Sequence, residues 1–242
     1  TVISVNSTTG MTVGGLLILD QLGDTVAHNG LVISTTLSVE GGSEVRANRG
    51  QQHHAQIIAV NPAGPSVTIY PPLYHPNWSS GRSPGIWWPN VTRVEAGLED
   101  LSYNSGSTNS GIVLSIRYCR GCWLKNIRSI EEPGSGGRDH VQIVNSHFTS
   151  IIHSYFYGCQ TCVGTTSYGV ESQSGSSNLY LNNIFEHMNS PIVPGSESHS
   201  VYAYNYSTDH FNNNQGWNMP GPLWAHKDAF MLNLIEGNEG TG

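Results

Sequence analysis

Three adjacent polar residues, Arg138, Asp139 and His140, carry side chains suited to proton transfer. An imidazole can move a proton, and a guanidinium can neutralise a carboxylate on a bound molecule. Farther along the chain, Tyr168 adds a second proton carrier and Glu171 adds a carboxylate that could hold a cation. We therefore take Arg138, His140, Tyr168 and Glu171 as the candidate catalytic residues. The alternative is that Arg138 and His140 pair with Asp139 only to order a loop.

Pairs of carboxyl groups offer a second chemistry, hydrolysis, which needs two carboxyls about 5 to 10 Å apart. Glu171 with Asp139, or Asp209 with Asp228, could form such a pair. A looser histidine and acid group surrounds the second pair, but its spacing matches no recognised set of metal ligands. We expect these histidines to be structural or exposed to solvent.

The elements that position these residues repeat along the chain. Apolar alternations begin at Gly85, Gly111, His140, Gly169 and Pro191, and so recur every 22 to 29 residues. A second run in each unit ends in a small polar residue, at Asp100, Asn126, Ser154, Asn183, Asn205 and Asn238. Because the runs alternate with period 2 and are bounded by Gly, Ser and Asn, they predict stacked coils of short strands. The recurring polar residues should stack as an inward ladder at one corner.

The register of the coils predicts which residues face outward. Inward positions should be taken by Ile86, Ile112, Val141, Val170 and Ile192. The next residues, among them Trp87, Gln142, Glu171 and Val193, should then point outward. Trp224 is expected one coil after Val193, with His226 two residues beyond it. We take Trp87, Gln142, Trp224 and His226 as the candidate substrate-binding residues, and Tyr157 as a further aromatic candidate, because aromatic faces stack on sugar rings.

This coil pattern resembles the right-handed parallel β-helix of the pectate-lyase-like superfamily over residues 84–242. The resemblance implies an all-β solenoid. Residues 1–83, whose strands are joined by Gly and Pro turns, are predicted to form a lead-in strand and a small antiparallel β unit. The alternative is that they form irregular first coils and a cap.

The resemblance also implies recognition of an extracellular polysaccharide, with cleavage by a lyase or a glycoside hydrolase. The polygalacturonase-type motifs NTD, DD, GHG and RIK are absent from the sequence, as is the Asp-rich calcium cluster of common pectate lyases. We expect no required cofactor, and no recognisable motif supports calcium. The alternatives are a non-catalytic carbohydrate-binding module and a structural solenoid of a surface or fibre.

The amino-acid composition indicates which classes of binding partner to expect. Charged residues make up 11% of the chain, only two are lysines, and the net charge is −7. Nucleic acid is therefore not expected as a partner, because phosphate binding needs clustered Lys and Arg. No apolar run approaches the length of a membrane span. We expect a secreted or cell-surface protein, with the periplasm as the alternative, and a partner or a further segment covering the C-terminal coil.

The four cysteines form two C-x₂-C pairs, Cys119 with Cys122 and Cys159 with Cys162. Two such pairs are typical of a zinc ribbon, but the coil register places them at different corners. We therefore expect a disulfide rather than a shared zinc, with Cys159–Cys162 as the favoured bridge and free buried thiols as the alternative.

Overall fold

The structure of this chain is a computed structural model that describes residues 1–23, 46, 48–75, 77–106, 111–131, 139–159, 162, 168–211, 221–227 and 229–240. The strands of these residues form three sheets: one antiparallel sheet of five strands and two parallel sheets of six and ten strands. Among the described residues, no helix is long and apolar enough to cross a membrane.

The first five strands form the N-terminal sheet. They are β1 (Val2–Ser4), β2 (Leu16–Gln21), β3 (Gln51–Asn61), β4 (Ser66–Tyr70) and β5 (Gly85–Trp87), in the spatial order β1-β4-β3-β2-β5. A short 3-10 helix, Ser80–Arg82, precedes β5. Leu17, Ala55, Ile57, Val67 and Ile69 are buried together in a core of this sheet. Their period-2 spacing within the strands places them on one face.

The remaining strands build the parallel β-helix. The first parallel sheet contains β6 (Arg93–Val94), β8 (Leu114–Arg117), β9 (Cys119–Arg120), β11 (Asp139–His147), β14 (Tyr168–Ser176) and β17 (Ser190–Ser198). The second parallel sheet contains β7 (Gly97–Asn104), β10 (Trp123–Ile130), β12 (Ser150–Ile152), β13 (Tyr155–Tyr157), β15 (Leu179–Leu181), β16 (Ile184–Glu186), β18 (Val201–Ala203), β19 (Tyr206–Thr208), β20 (Leu234–Glu236) and β21 (Glu239–Gly240). Each coil contributes to both sheets, and each strand pairs in parallel with its counterpart in the next coil. The predicted fold, an all-β parallel β-helix with an N-terminal antiparallel unit, is confirmed.

The inward register of the later coils also agrees with the sequence. Val141 pairs with Val170, and Val170 with Ile192, and all three lie in the core of the β-helix. The expected place of Ile112 is wrong, because Leu114 pairs with Val141. A slip of two residues leaves the inward and outward alternation unchanged, so the sequence pattern could not detect it.

A polar ladder lies at the bend of the second parallel sheet. Asn183 Oδ1 accepts the Ser154 backbone N–H at 3.0 Å, and Asn205 Oδ1 accepts the Asn183 N–H at 3.1 Å. Asn238 Oδ1 continues the row by accepting the Asn205 N–H at 3.0 Å. Buried amides are thus satisfied from coil to coil.

Asn126 was expected in this ladder but lies one residue before it. Its φ is 53°, its side chain is exposed, and Ile127 takes the inward position. Asn tolerates this left-handed conformation, which the corner requires. Its Nδ2 donates instead to Asp100 Oδ1 at 2.6 Å, on the outer surface.

The N-terminal sheet packs on the outer face of the first parallel sheet. Gln52 Oε1 accepts a hydrogen bond from the Ser174 hydroxyl, and the backbone carbonyl of His54 accepts one from Ser176 at 3.2 Å. Every residue of β11, β14 and β17 is buried, on the inner face by the core of the β-helix. The expected exposed face of the first coils is therefore covered along this contact.

The opening of the first coil was also placed wrongly. Ile86 pairs antiparallel with Leu19, and Trp87 pairs with Ile18, so β5 belongs to the N-terminal sheet. A three-residue apolar alternation fits either kind of sheet, because its period does not choose a partner strand.

Both cysteine pairs are disulfides in the structure. Cys119 is bonded to Cys122, with a Cα–Cα distance of 6.0 Å, and Cys159 to Cys162, with a distance of 5.2 Å. The bridges lie in different coils, as the register predicted.

Candidate polysaccharide-binding site

The predicted polar row forms a connected network on the outer side of the first parallel sheet. Gln142 Nε2 donates to Glu171 Oε2 at 2.8 Å and to Asp139 Oδ2 at 3.4 Å. The two carboxyl oxygens are therefore no more than about 6 Å apart, which is close enough for a hydrolytic pair. Arg117 Nη2 donates to Gln142 Oε1 at 2.8 Å, and Gln173 Nε2 to Glu171 at 3.1 Å.

The part of this network that contains the two carboxyl groups is closed to solvent. Asp139 is 0% exposed, Gln142 and Glu171 are each 1% exposed, and Tyr168 is 2% exposed. Hydrogen bonds from Gln142 and Gln173 satisfy the Glu171 carboxylate, as buried charges require. In this conformation the pair is a buried structural network, and a substrate would reach it only after the covering residues moved.

Aromatic side chains continue from this row into the last coil. The Tyr168 and His226 rings lie 6.4 Å apart, and the His226 and Trp224 rings lie 4.7 Å apart. The Trp224 backbone N–H donates to the Ile192 carbonyl at 2.9 Å, so Trp224 follows Val193 as the register predicted. Trp224 and His226 are partly exposed, unlike Glu171.

His140 points into the β-helix instead of joining the outward row. Its Nε2 donates to the Gly158 carbonyl at 3.0 Å, and its Nδ1 accepts the Ser129 hydroxyl at 2.8 Å. The ring lies edge-on to Phe156, with 5.7 Å between centroids. Burial lowers the pKa of His140 to about 4, so the imidazole is neutral in the core.

Two other predicted residues lie apart from this row. Trp87 is in the N-terminal sheet, edge-on to Tyr118 at 6.4 Å, so it does not share a sheet with Trp224. Arg138 and Asp228 lie outside the described residues. The structure thus brings together Gln142, Glu171 and Asp139, and separately Tyr168, His226 and Trp224.

A group of exposed and partly exposed rings lies along the second parallel sheet instead. We call it the aromatic strip, and it consists of Tyr155, Tyr157, His187 and Phe211. Centroid distances along it are 6.4 Å from Tyr155 to Tyr157, 5.8 Å from Tyr157 to His187 and 4.5 Å from His187 to Phe211. All three ring pairs are stacked, with interplanar angles of 24°, 18° and 16°. The strip crosses three successive coils and so runs along the β-helix axis.

Two carboxylates fix the rings of the aromatic strip. The Tyr155 hydroxyl donates to Glu186 Oε2 at 2.7 Å. Desolvation, followed by this contact with Glu186, raises the pKa of Tyr155 to about 12, so the phenol stays protonated. His187 Nδ1 lies 2.6 Å from Asp209 Oδ2, and the Asp209 side chain is 59% exposed. The strip therefore places aromatic rings beside hydrogen-bond acceptors.

The alternation of residues 155–157 predicts two outward rings of this strip. Phe156 points inward, so its neighbours Tyr155 and Tyr157 must point outward. Tyr157 was singled out as an aromatic candidate, but Tyr155 was not. His187 was considered only as a member of the loose histidine and acid group, and Asp209 as a member of that group and as a partner of Asp228.

Among the described residues, no group of three or more His, Cys, Asp or Glu side chains could hold a metal ion. No family model and no curated protein matches this chain. The fold is similar to that of the tailspike protein gp49 from Pseudomonas phage LKA1, with a TM-score of 0.55 and 12% sequence identity. The alignment covers 86% of this chain but only 36% of the tailspike chain. At this identity the likeness establishes a shared fold, and the pectate-lyase-like resemblance is supported at the level of the parallel β-helix.

Proposed function

We propose that this chain recognises an extracellular polysaccharide along the aromatic strip. The observation that carries the proposal is the row of stacked and partly exposed rings, Tyr157 to His187 to Phe211, across three successive coils. Sugar rings stack their C–H faces on such platforms, and a row along the axis fits an extended chain. Binding at the cell surface or in the periplasm, without a metal, is part of the proposal.

Binding can be tested by affinity electrophoresis in gels that contain single polysaccharides. Tyr157→Ala should weaken retention about tenfold, because one stacking ring contributes roughly 1 to 1.5 kcal/mol. Tyr103→Ala is the matched control, since Tyr103 is also 36% exposed but lies in the first coil, outside the strip. Equal retention of the two variants, or retention that EDTA abolishes in the unaltered protein, would contradict the proposal.

Cleavage is the second candidate function, and it is favoured by the short separation of Asp139 and Glu171. The protein should be incubated with each retained polysaccharide while reducing ends and the absorbance of unsaturated products are followed. A hydrolase releases reducing ends alone, whereas a lyase releases both signals. Glu171→Gln should abolish turnover while leaving retention intact, because Glu171 lies outside the strip. Turnover that survives this substitution would exclude the pair, and retention without turnover would identify a binding module.

A further inference from the structure

The charges beside the aromatic strip should affect which class of polysaccharide binds there. An inference from these charges rests on the proposed function. Glu186 and Asp209 stand directly among the rings, and Glu186 pairs in register with Tyr157 on the neighbouring strand. In the next coil the second parallel sheet adds Glu236 and Glu239, both exposed. The C-terminal half of this surface is therefore negative.

Positive charge on the same sheet lies at its other end. Arg128 pairs in register with Tyr155 from the preceding coil, and Lys125 lies 3.8 Å from Glu99 in a surface ion pair. Among the described residues of the second parallel sheet, these two are its cations. Arg128 is exposed, its Nη1 lies 3.4 Å from the Ser102 hydroxyl, and it borders only the first ring of the strip. Tyr157 and His187 instead have Glu186 and Asp209 as neighbours.

We infer that the strip selects a neutral polysaccharide and discriminates against polyuronates. A uronic acid stacked on Tyr157 or His187 would bring its carboxylate close to Glu186 or Asp209, and like charges at this range repel. A neutral sugar instead offers hydroxyl groups, which donate charge-assisted hydrogen bonds to these same oxygens. Rings for stacking, with carboxylates as acceptors beside them, therefore match a chain of neutral or N-acetylated sugars.

The test uses polymers that differ only in charge. Polygalacturonate, alginate and hyaluronate are each compared with their own carboxyl-reduced products, in which –COO⁻ has become –CH₂OH. Retention is measured at 20 mM and at 500 mM NaCl, because salt screens repulsion between exposed charges. At 20 mM the protein should hold at least one reduced polymer on the order of tenfold more tightly than its acidic parent. At 500 mM this preference should shrink.

A double variant, Glu186→Gln with Asp209→Asn, connects the preference to these two side chains. It should bind the acidic parent roughly three- to tenfold more tightly than the unaltered protein does. Glu99→Gln with Asp100→Asn is the control, because it removes two carboxylates of the same sheet that lie outside the strip, two coils before Tyr157. Tighter binding of an acidic parent than of its reduced product by the unaltered protein, or an equal gain in the control, overturns the inference alone. Failure to retain any of the six polymers overturns the proposed function and this inference with it.

Discussion

Mild acid should destabilise this protein, because four buried histidines lie where the N-terminal sheet covers the first parallel sheet. His54 Nε2 lies 3.4 Å from Asn145 Oδ1, and His147 Nδ1 donates to the Ser176 carbonyl at 3.0 Å. The His53 and His75 rings lie 6.3 Å apart. Burial is the main cause that lowers the pKa of His53, His54 and His147 to about 3 and that of His75 to about 4.

The charged and titratable neighbours of this cluster add to the cost of protonation. His199 interacts with His53 and His75, and Arg120 interacts with His147, and each lowers the pKa of its partner. The histidines also lower one another's pKa values. Tyr74, whose phenol pKa is raised by burial, stacks on His199 at 3.3 Å, and Glu197 acts on Tyr74. The cluster therefore folds in its neutral form.

The sign and size of the effect follow from the pKa values. A histidine whose pKa is 6.5 in the unfolded chain and about 3 in the folded protein is protonated first in the unfolded state. Its contribution to stability is complete above pH 6.5 and is lost as the pH falls towards 3. At pH 5.0 each of the four groups has lost about 2 kcal/mol, or about 8 kcal/mol together. Because the groups interact, we take half of this total, about 4 kcal/mol, as the expected minimum.

A loss of this size is a large part of the roughly 5 to 15 kcal/mol that stabilise a typical protein. The free energy of unfolding should be measured by urea titration at pH 7.5, 6.5, 5.5 and 5.0, a range in which carboxyl groups with ordinary pKa values titrate little. His54→Gln should reduce the slope of the unfolding free energy against pH by about 1.4 kcal/mol per pH unit. The matched control, His153→Gln, changes an exposed histidine and should leave that slope unchanged. A total change below about 2 kcal/mol between pH 7.5 and 5.0 would refute the reasoning.

Three further outcomes are expected. Asn183→Ala should lower the free energy of unfolding by about 1 to 3 kcal/mol, because it leaves the buried Ser154 N–H without its acceptor. The control, Asn182→Gly, changes an exposed residue with φ 54° and should cost little. Equal losses of the two variants in urea titrations would contradict the ladder. Gly158→Ala should lower the free energy of unfolding by at least about 2 kcal/mol in the same measurement, because Gly158 has φ 86° and an added Cβ would lie 2.1 Å from the Glu131 carbonyl oxygen. An unchanged free energy of unfolding would contradict this conformation of the turn. Thiol titration of the denatured, unreduced protein should find no free thiol, and elemental analysis should find no zinc; one tightly held zinc per chain would contradict the disulfide assignment.

The sequence by itself determined the coils, because each coil repeats the one before it and its contacts are with the next repeat. The inward row of Val141, Val170 and Ile192 and the ladder of Asn183 and Asn205 could be predicted for this reason. The adjacency of Gln142 and Glu171, and the place of Trp224 after Val193, came from the same register. These relations need only a repeat length and a period of 2.

Tertiary structure alone decided which surface of the coils is open. The residues of β3 could not be assigned to the outer face of the first parallel sheet, because their own alternation does not say what covers them. That packing covered Ser174 and Ser176, and Gln142 and Glu171, on the face where a binding row was expected, are buried as well. Along the other sheet, Tyr157 is exposed, and His187 and Phe211 are partly exposed. Alternation gives the side of a strand on which a residue lies, but exposure depends on contacts between segments that are distant in sequence.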